Sequence, residues 1–109
     1  MGEESRRAPR YSRRLRVDLE GGTIWTSNLS DGGMQLAIPE LEMDRFRKRL
    51  SDGVVELDIH LPGGERLSAQ CRVAYLSEYD DEYLVGVKFL SFSGDGRDRY
   101  TDYLTLKPA

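Results

Sequence analysis

The chain has 109 residues, of which 39% are hydrophobic and 32% charged, with a formal net charge of −3. That balance suits one soluble globular domain with a buried core and excludes the disordered and membrane-spanning classes. No apolar run approaches the roughly 20 residues of a membrane-spanning helix, so no membrane insertion is expected. The single cysteine, Cys71, excludes an internal disulfide, and no basic-then-apolar leader precedes the first arginines, so a cytoplasmic location is expected.

The charge is unevenly spread. Residues 1–16 hold six arginines against Glu3 and Glu4, a net +4, whereas the remaining ten basic and seventeen acidic residues net −7. An acidic body argues against a general nucleic-acid-coating surface, and no aromatics interleave with the basic cluster. A local anion site at the start of the chain remains open.

Residues 1–12 contain few apolar side chains and Pro9, which predicts an arginine-rich arm that is mobile in the free protein, ahead of a barrel domain over 13–109. Leu15, Val17 and Leu19 alternate with charged residues in a first strand, which Gly21-Gly22 ends. Thr23 to Ser27 reads as a second strand, with Trp25 expected to be a packing residue. The stretch from Asn28 to Gly33 reads as a hydrogen-bonding loop, and Met34, Leu36 and Ile38 mark a third strand stopped at Pro39.

From Glu40 to Leu50 the period changes to three and four, through Met43, Phe46 and Leu50, and predicts a short amphipathic helix with Gly53 available for its left-handed cap. Val55 to Leu61 alternates as a fourth strand, and Pro62-Gly63-Gly64 is a hairpin turn. Leu67, Ala69, Cys71, Val73 and Tyr75 share the inward face of a fifth strand. Ser77 to Glu82 reads as a polar turn before Tyr83, Val85, Val87 and Phe89 in a sixth. Ser93 is the expected N-cap of a terminal helix whose apolar stripe is Tyr100, Tyr103, Leu104 and Leu106. Six short strands at this spacing predict a closed or nearly closed antiparallel barrel, mainly β, with a helix between strands three and four and another at the end.

No catalytic constellation is evident. Cys71 reads as a buried structural thiol, and His60, the only histidine, lies on a polar strand face without the partners that a metal site or a Cys-His pair requires. The chain is expected not to be an enzyme and to need no cofactor.

Arg6-x-x-x-Arg10, the later Asn28-x-Ser30-x-x-Gly33, and Gly86-Val87-Lys88-Phe89 together resemble the bacterial PilZ domain, a family known as a receptor for cyclic di-GMP. The resemblance covers nearly the whole chain and implies a six-stranded antiparallel barrel with a C-terminal helix. It implies ligand contacts from Arg6 and Arg10, with Arg7 as a third, and from Asn28, Ser30, Gly32 and Gly33. Arg10-x-x-x-Arg14 also fits the arginine spacing, but Leu15 onward already reads as strand, so Arg6 and Arg10 are preferred.

The chemistry agrees with those residue types. A guanidinium fork meets the O6 and N7 acceptors of guanine bidentately, where lysine offers only a point charge. The opposite guanine edge presents donors, for which the Asn28 carbonyl and Ser30 hydroxyl are acceptors. Gly33, with Gly32, is expected to permit positive φ and close ligand approach. The implied function is a cyclic di-GMP receptor that relays the messenger level to an unidentified downstream protein as its arm orders. The alternative is a PilZ-fold adaptor that binds no nucleotide and acts through protein contact, with the Glu40 to Leu50 helix as its surface.

Overall fold

The computed structural model describes residues 13–19 and 22–106. Six strands alternate apolar and polar residues: β1 (Arg16–Leu19), β2 (Gly22–Ser30), β3 (Gly33–Pro39), β4 (Val54–His60), β5 (Arg66–Tyr79) and β6 (Glu82–Phe92). They close into an antiparallel barrel in the order β1-β2-β3-β6-β5-β4. Closure satisfies the backbone groups that an open sheet would leave at its edges. The inward residues, including Val17, Ile24, Leu36, Leu57, Ile59 and Val85, are each at most 1% exposed and form one core.

Helix α1 (Glu40–Arg49) and helix α2 (Gly96–Leu106) close opposite ends of the barrel. Met43 and Phe46 of α1 enter the core beside the β5–β6 turn, where the Glu40 amide donates to the Asp81 carbonyl at 3.1 Å. Tyr100 and Leu104 of α2 enter it at the end carrying the β2–β3 and β4–β5 turns, and Arg99 pairs there with Glu65. Acidic Glu40 and Glu42 at the start of α1 and basic Arg47, Lys48 and Arg49 at its end complement the helix dipole. No helix among the described residues is long and apolar enough to cross a membrane.

The six-strand pattern is as the sequence predicts, with four local differences. Asn28 to Gly33 is not a loop: β2 runs to Ser30, β3 begins at Gly33, and only Asp31 and Gly32 turn. Ser77 to Glu82 is not a turn either, because β5 continues to Tyr79 and β6 begins at Glu82. Residues 74–78 are all exposed, so polarity there reflects solvent around a projecting ribbon. Asp52 and Gly53, with φ of 56° and 78°, form the turn bridged by Ser51 and Val54 and do not cap α1, whose C-cap is the extended Leu50. Finally, α2 starts at Gly96; the Arg99 amide donates to the Asp95 carbonyl, and Ser93 stands before the helix.

Two β-bulges decide which face the polar residues occupy. Thr26 pairs with Leu36 and Asn28 with Gln35, so Ser27 is an extra residue on β2. A strict two-residue period through buried Ile24 and Thr26 would carry Asn28 and Ser30 inward. The extra residue reverses the phase, burying Leu29 completely and turning Asn28 and Ser30 out. On β5, Val73 pairs with Val87 and Tyr75 with Gly86, so Ala74 is the extra residue. Tyr75, expected on the inward face, consequently lies outside and is 42% exposed.

Candidate functional site on the outer barrel wall

The bulges bring residues from four strands into lateral register on one outer surface. Asn28 pairs with Gln35, Gln35 with Gly86, and Gly86 with Tyr75. Two residues further along β2, β3 and β6, and three along the bulged β5, Ser30 pairs with Gly33, Gly33 with Lys88, and Lys88 with Arg72. Over these two rows lies a groove of about 440 Å³, lined by Asn28, Ser30, Gly32, Gly33 and Gln35 on one side and Tyr75, Gly86 and Lys88 on the other. Its volume falls in the range of about 300–1,000 Å³ typical of small-ligand clefts.

The polar groups in the groove are ordered by one another. Gln35 Oε1 accepts from Ser27 Oγ at 2.7 Å and from Asn28 Nδ2 at 3.3 Å, and Gln35 Nε2 donates to the Tyr75 hydroxyl at 2.8 Å. Ser30 Oγ donates to the Gly33 carbonyl at 3.3 Å, which spends its proton inside the hairpin and leaves its oxygen lone pairs for a ligand donor. Lys88 is exposed and makes no ion pair with any other described residue. The site therefore offers oxygen acceptors on one side and a cation on the other.

Glycine is required here for close approach. Neither Gly32 nor Gly33 has positive φ, contrary to the sequence expectation. A Cβ at Gly33 would overlap the Val87 carbonyl of the paired strand, and one at Gly86 would overlap the Tyr75 ring. Gly32 meets no such obstacle.

The turn is also held from behind. Tyr100, fully buried, donates its hydroxyl proton to the Ser30 carbonyl at 2.7 Å, with the Gly33 carbonyl at 3.3 Å. Burial, and then the nearby Asp31 carboxylate, raise the Tyr100 pKa, so the phenol stays a donor. Its ring packs edge-on against Phe89 at 4.8 Å. Arg97 reaches the Asp31 carbonyl at 2.8 Å and lies over the Phe92 ring.

Thr26 fixes where the N-terminal segment joins the barrel. Its buried hydroxyl accepts from the Leu15 amide and donates to the Arg13 carbonyl, both at 2.7 Å, and its own amide donates to the Leu15 carbonyl at 3.0 Å. The chain thus enters alongside β2 two residues before Asn28. Arg14 lies over the Trp25 ring at 5.1 Å, and Trp25 is on the outer wall instead of in the core.

Of the sequence-predicted site residues, Asn28, Ser30, Gly32 and Gly33 come together on the groove, while Arg6, Arg7 and Arg10 lie outside the described residues. Gln35, Tyr75 and Lys88 were not anticipated as site residues. A signal for Gln35 was present, since it is a polar side chain between inward Met34 and Leu36; Tyr75 carried none, because the Ala74 bulge alone turns it outward. Cys71 is fully buried and burial pushes its thiol up to about 12, which leaves it inert. Among the described residues no group of three or more His, Cys, Asp or Glu side chains is placed to hold a metal ion.

A small closed antiparallel barrel with a ligand-sized groove on its outer wall is the class that fold and site define. The PilZ domain family model matches residues 4–106, and the chain belongs to that family. Two solved structures share the fold. The Bacillus subtilis inhibitor of motility MotI/DgrA has a TM-score of 0.66 and 15% identity, over 89% of this chain and 47% of that one. K. pneumonia MrkH in its apo state has a TM-score of 0.61 and 19% identity, over 91% of this chain and 48% of that one. The chain spans about half the length of each. No curated protein matches it in a sequence search.

Proposed function

We propose that this protein is a cyclic di-GMP receptor whose groove takes one guanine against Asn28 and Ser30, while Arg6, Arg7 and Arg10 close over the nucleotide from the N-terminal arm. Ordering of the arm changes the outer surface and relays ligand occupancy to a protein partner. Membership of the PilZ domain family supports the ligand class.

The observation that carries the reading is the entry of the chain beside the groove, through the hydrogen bonds of Thr26 to Arg13 and Leu15. Arg10 is three residues before Arg13, at most about 10 Å of extended chain, and Arg6 is seven before it, at most about 25 Å. That length of chain supports the assignment of both arginines to a site beside Asn28. On this reading the Asn28 and Ser30 oxygens accept from the donor edge of guanine, Lys88 attracts a phosphate, and the arm arginines take the O6/N7 edge.

Each bidentate arginine contact is worth roughly 1 to 3 kcal/mol. Arg6→Ala and Arg10→Ala are therefore expected to abolish calorimetric binding of cyclic di-GMP and to leave the melting temperature of the free protein in place. Unchanged affinity in both variants would remove the arm from the site. A wild-type protein that gave no heat with cyclic di-GMP would favour the adaptor reading, for which α1 supplies Leu41, 93% exposed at the barrel end away from the groove.

A further inference from the structure

We infer that Gln35 is a positioning residue that sets which edge of a base Asn28 can read. The inference rests on the nucleotide-receptor reading above and adds to it a residue outside the Asn-x-Ser-x-x-Gly motif.

A primary amide is two-ended, with an acceptor oxygen on one side and a donor NH2 on the other. Asn28, Gln35 and Tyr75 form a chain in which Asn28 Nδ2 donates to Gln35 Oε1 at 3.3 Å and Gln35 Nε2 donates to the Tyr75 hydroxyl at 2.8 Å. Such a chain has two self-consistent polarities. In this one Asn28 spends a donor on Gln35 and keeps its oxygen for a ligand donor. In the reverse, Tyr75 would donate to Gln35, Gln35 to Asn28, and Asn28 would present only N–H groups.

In the observed polarity the Ser27 hydroxyl joins Asn28 on the same oxygen, donating to Gln35 Oε1 at 2.7 Å; with the amide reversed it would accept from Nε2 and turn its proton to the Gln35 backbone carbonyl, 3.4 Å away. The residue inserted by the β2 bulge thus turns Asn28 outward and sets a hydroxyl against the Gln35 amide. A site that presents an acceptor favours a base whose edge carries donors, because an analogue without them leaves the acceptor unpaired.

The discriminating probes are cyclic di-GMP and cyclic di-inosine monophosphate, which share phosphates and ring and differ only in the guanine 2-amino donor. By calorimetry the wild-type chain is expected to prefer cyclic di-GMP roughly tenfold, the worth of one such hydrogen bond. Gln35→Met should collapse that preference to near unity. Gln35→Glu, whose carboxylate can only accept from Asn28, should retain it, since any added charge repulsion weakens both nucleotides alike. Tyr75→Phe, at an exposed position, keeps the ring and removes the acceptor for Nε2, so it should also lower the preference. A wild-type preference in Gln35→Met and Tyr75→Phe would overturn the role of Gln35 and leave the receptor reading standing. Binding of neither nucleotide by the wild-type chain would overturn both.

Discussion

The Tyr100 hydroxyl donates to the Ser30 carbonyl oxygen at 2.7 Å, so a residue of the terminal helix holds the backbone of the turn whose side chains face the groove. The bond links the two halves of the fold that the chain separates by 70 positions. Tyr100→Phe keeps the packing against Phe89 and leaves the Ser30 and Gly33 carbonyls without their phenol. A loss of about 1 to 2 kcal/mol is expected by urea denaturation, with weaker cyclic di-GMP binding because Ser30 is no longer held.

The three glycines around the groove should separate cleanly. Gly86→Ala places a methyl where the Tyr75 ring lies, and Gly33→Ala places one against the Val87 carbonyl. Gly32 has open space and no positive φ. Overpacking costs roughly 1 to 3 kcal/mol, so Gly33→Ala should lower the melting temperature, Gly86→Ala should displace Tyr75 and impair ligand binding, and Gly32→Ala should change stability little. Differential scanning fluorimetry alongside calorimetry measures all three.

Trp25 is the single tryptophan, and Arg14 lies over its ring at 5.1 Å, between the arm and the barrel wall. Closure of the arm on a nucleotide should move that guanidinium and change the emission of Trp25. The expected signal is a saturable fluorescence change on addition of cyclic di-GMP that Arg14→Ala reduces. Emission that stays constant through saturation would contradict closure of the arm past Trp25.

Asp18 accepts from Arg16 at 3.2 Å, from Thr23 at 3.1 Å and pairs with His60 at 2.8 Å, on the opposite wall from the groove. The Arg16 hydrogen bond, aided by His60 and Thr23 against the opposing effect of desolvation, lowers its pKa from 3.8 to about 2. A carboxylate with a depressed folded-state pKa stabilises the protein above its unfolded value and loses that contribution as pH falls through the folded one. Asp18→Asn should therefore be less stable than wild type at neutral pH, and the gap should narrow between about pH 4 and pH 2. Denaturation midpoints across that range provide the check.

The barrel was legible because most strands obey a plain two-residue period: Val55, Leu57 and Ile59 in β4, or Val85 and Val87 in β6, are buried as their alternation requires. The Asn28, Ser30 and Gly33 motif was legible by its residue types. What the pattern concealed were the two bulges, since an extra residue is specified by pairing with the neighbouring strand and not by its own chemistry. Leu29 was the one clue, an apolar residue alone in a polar run that needed an inward position. Read as a loop, that run gave Asn28 and Ser30 no defined face, and Gln35 and Tyr75 no reason to join them. Positive φ was expected at Gly33 for the same reason, whereas the paired strand demands only the absence of a Cβ.

Calorimetric titration of cyclic di-GMP into the wild-type chain, Asn28→Ala and Ser30→Ala tests the central claim most directly. Both residues face outward, so their truncation should leave the fold intact while removing acceptors for the donor edge of guanine. The account predicts saturable binding by the wild type and an affinity at least tenfold weaker in each variant, in keeping with about 1.4 kcal/mol per decade. Absence of binding by the wild type, or equal affinity in all three, would contradict it.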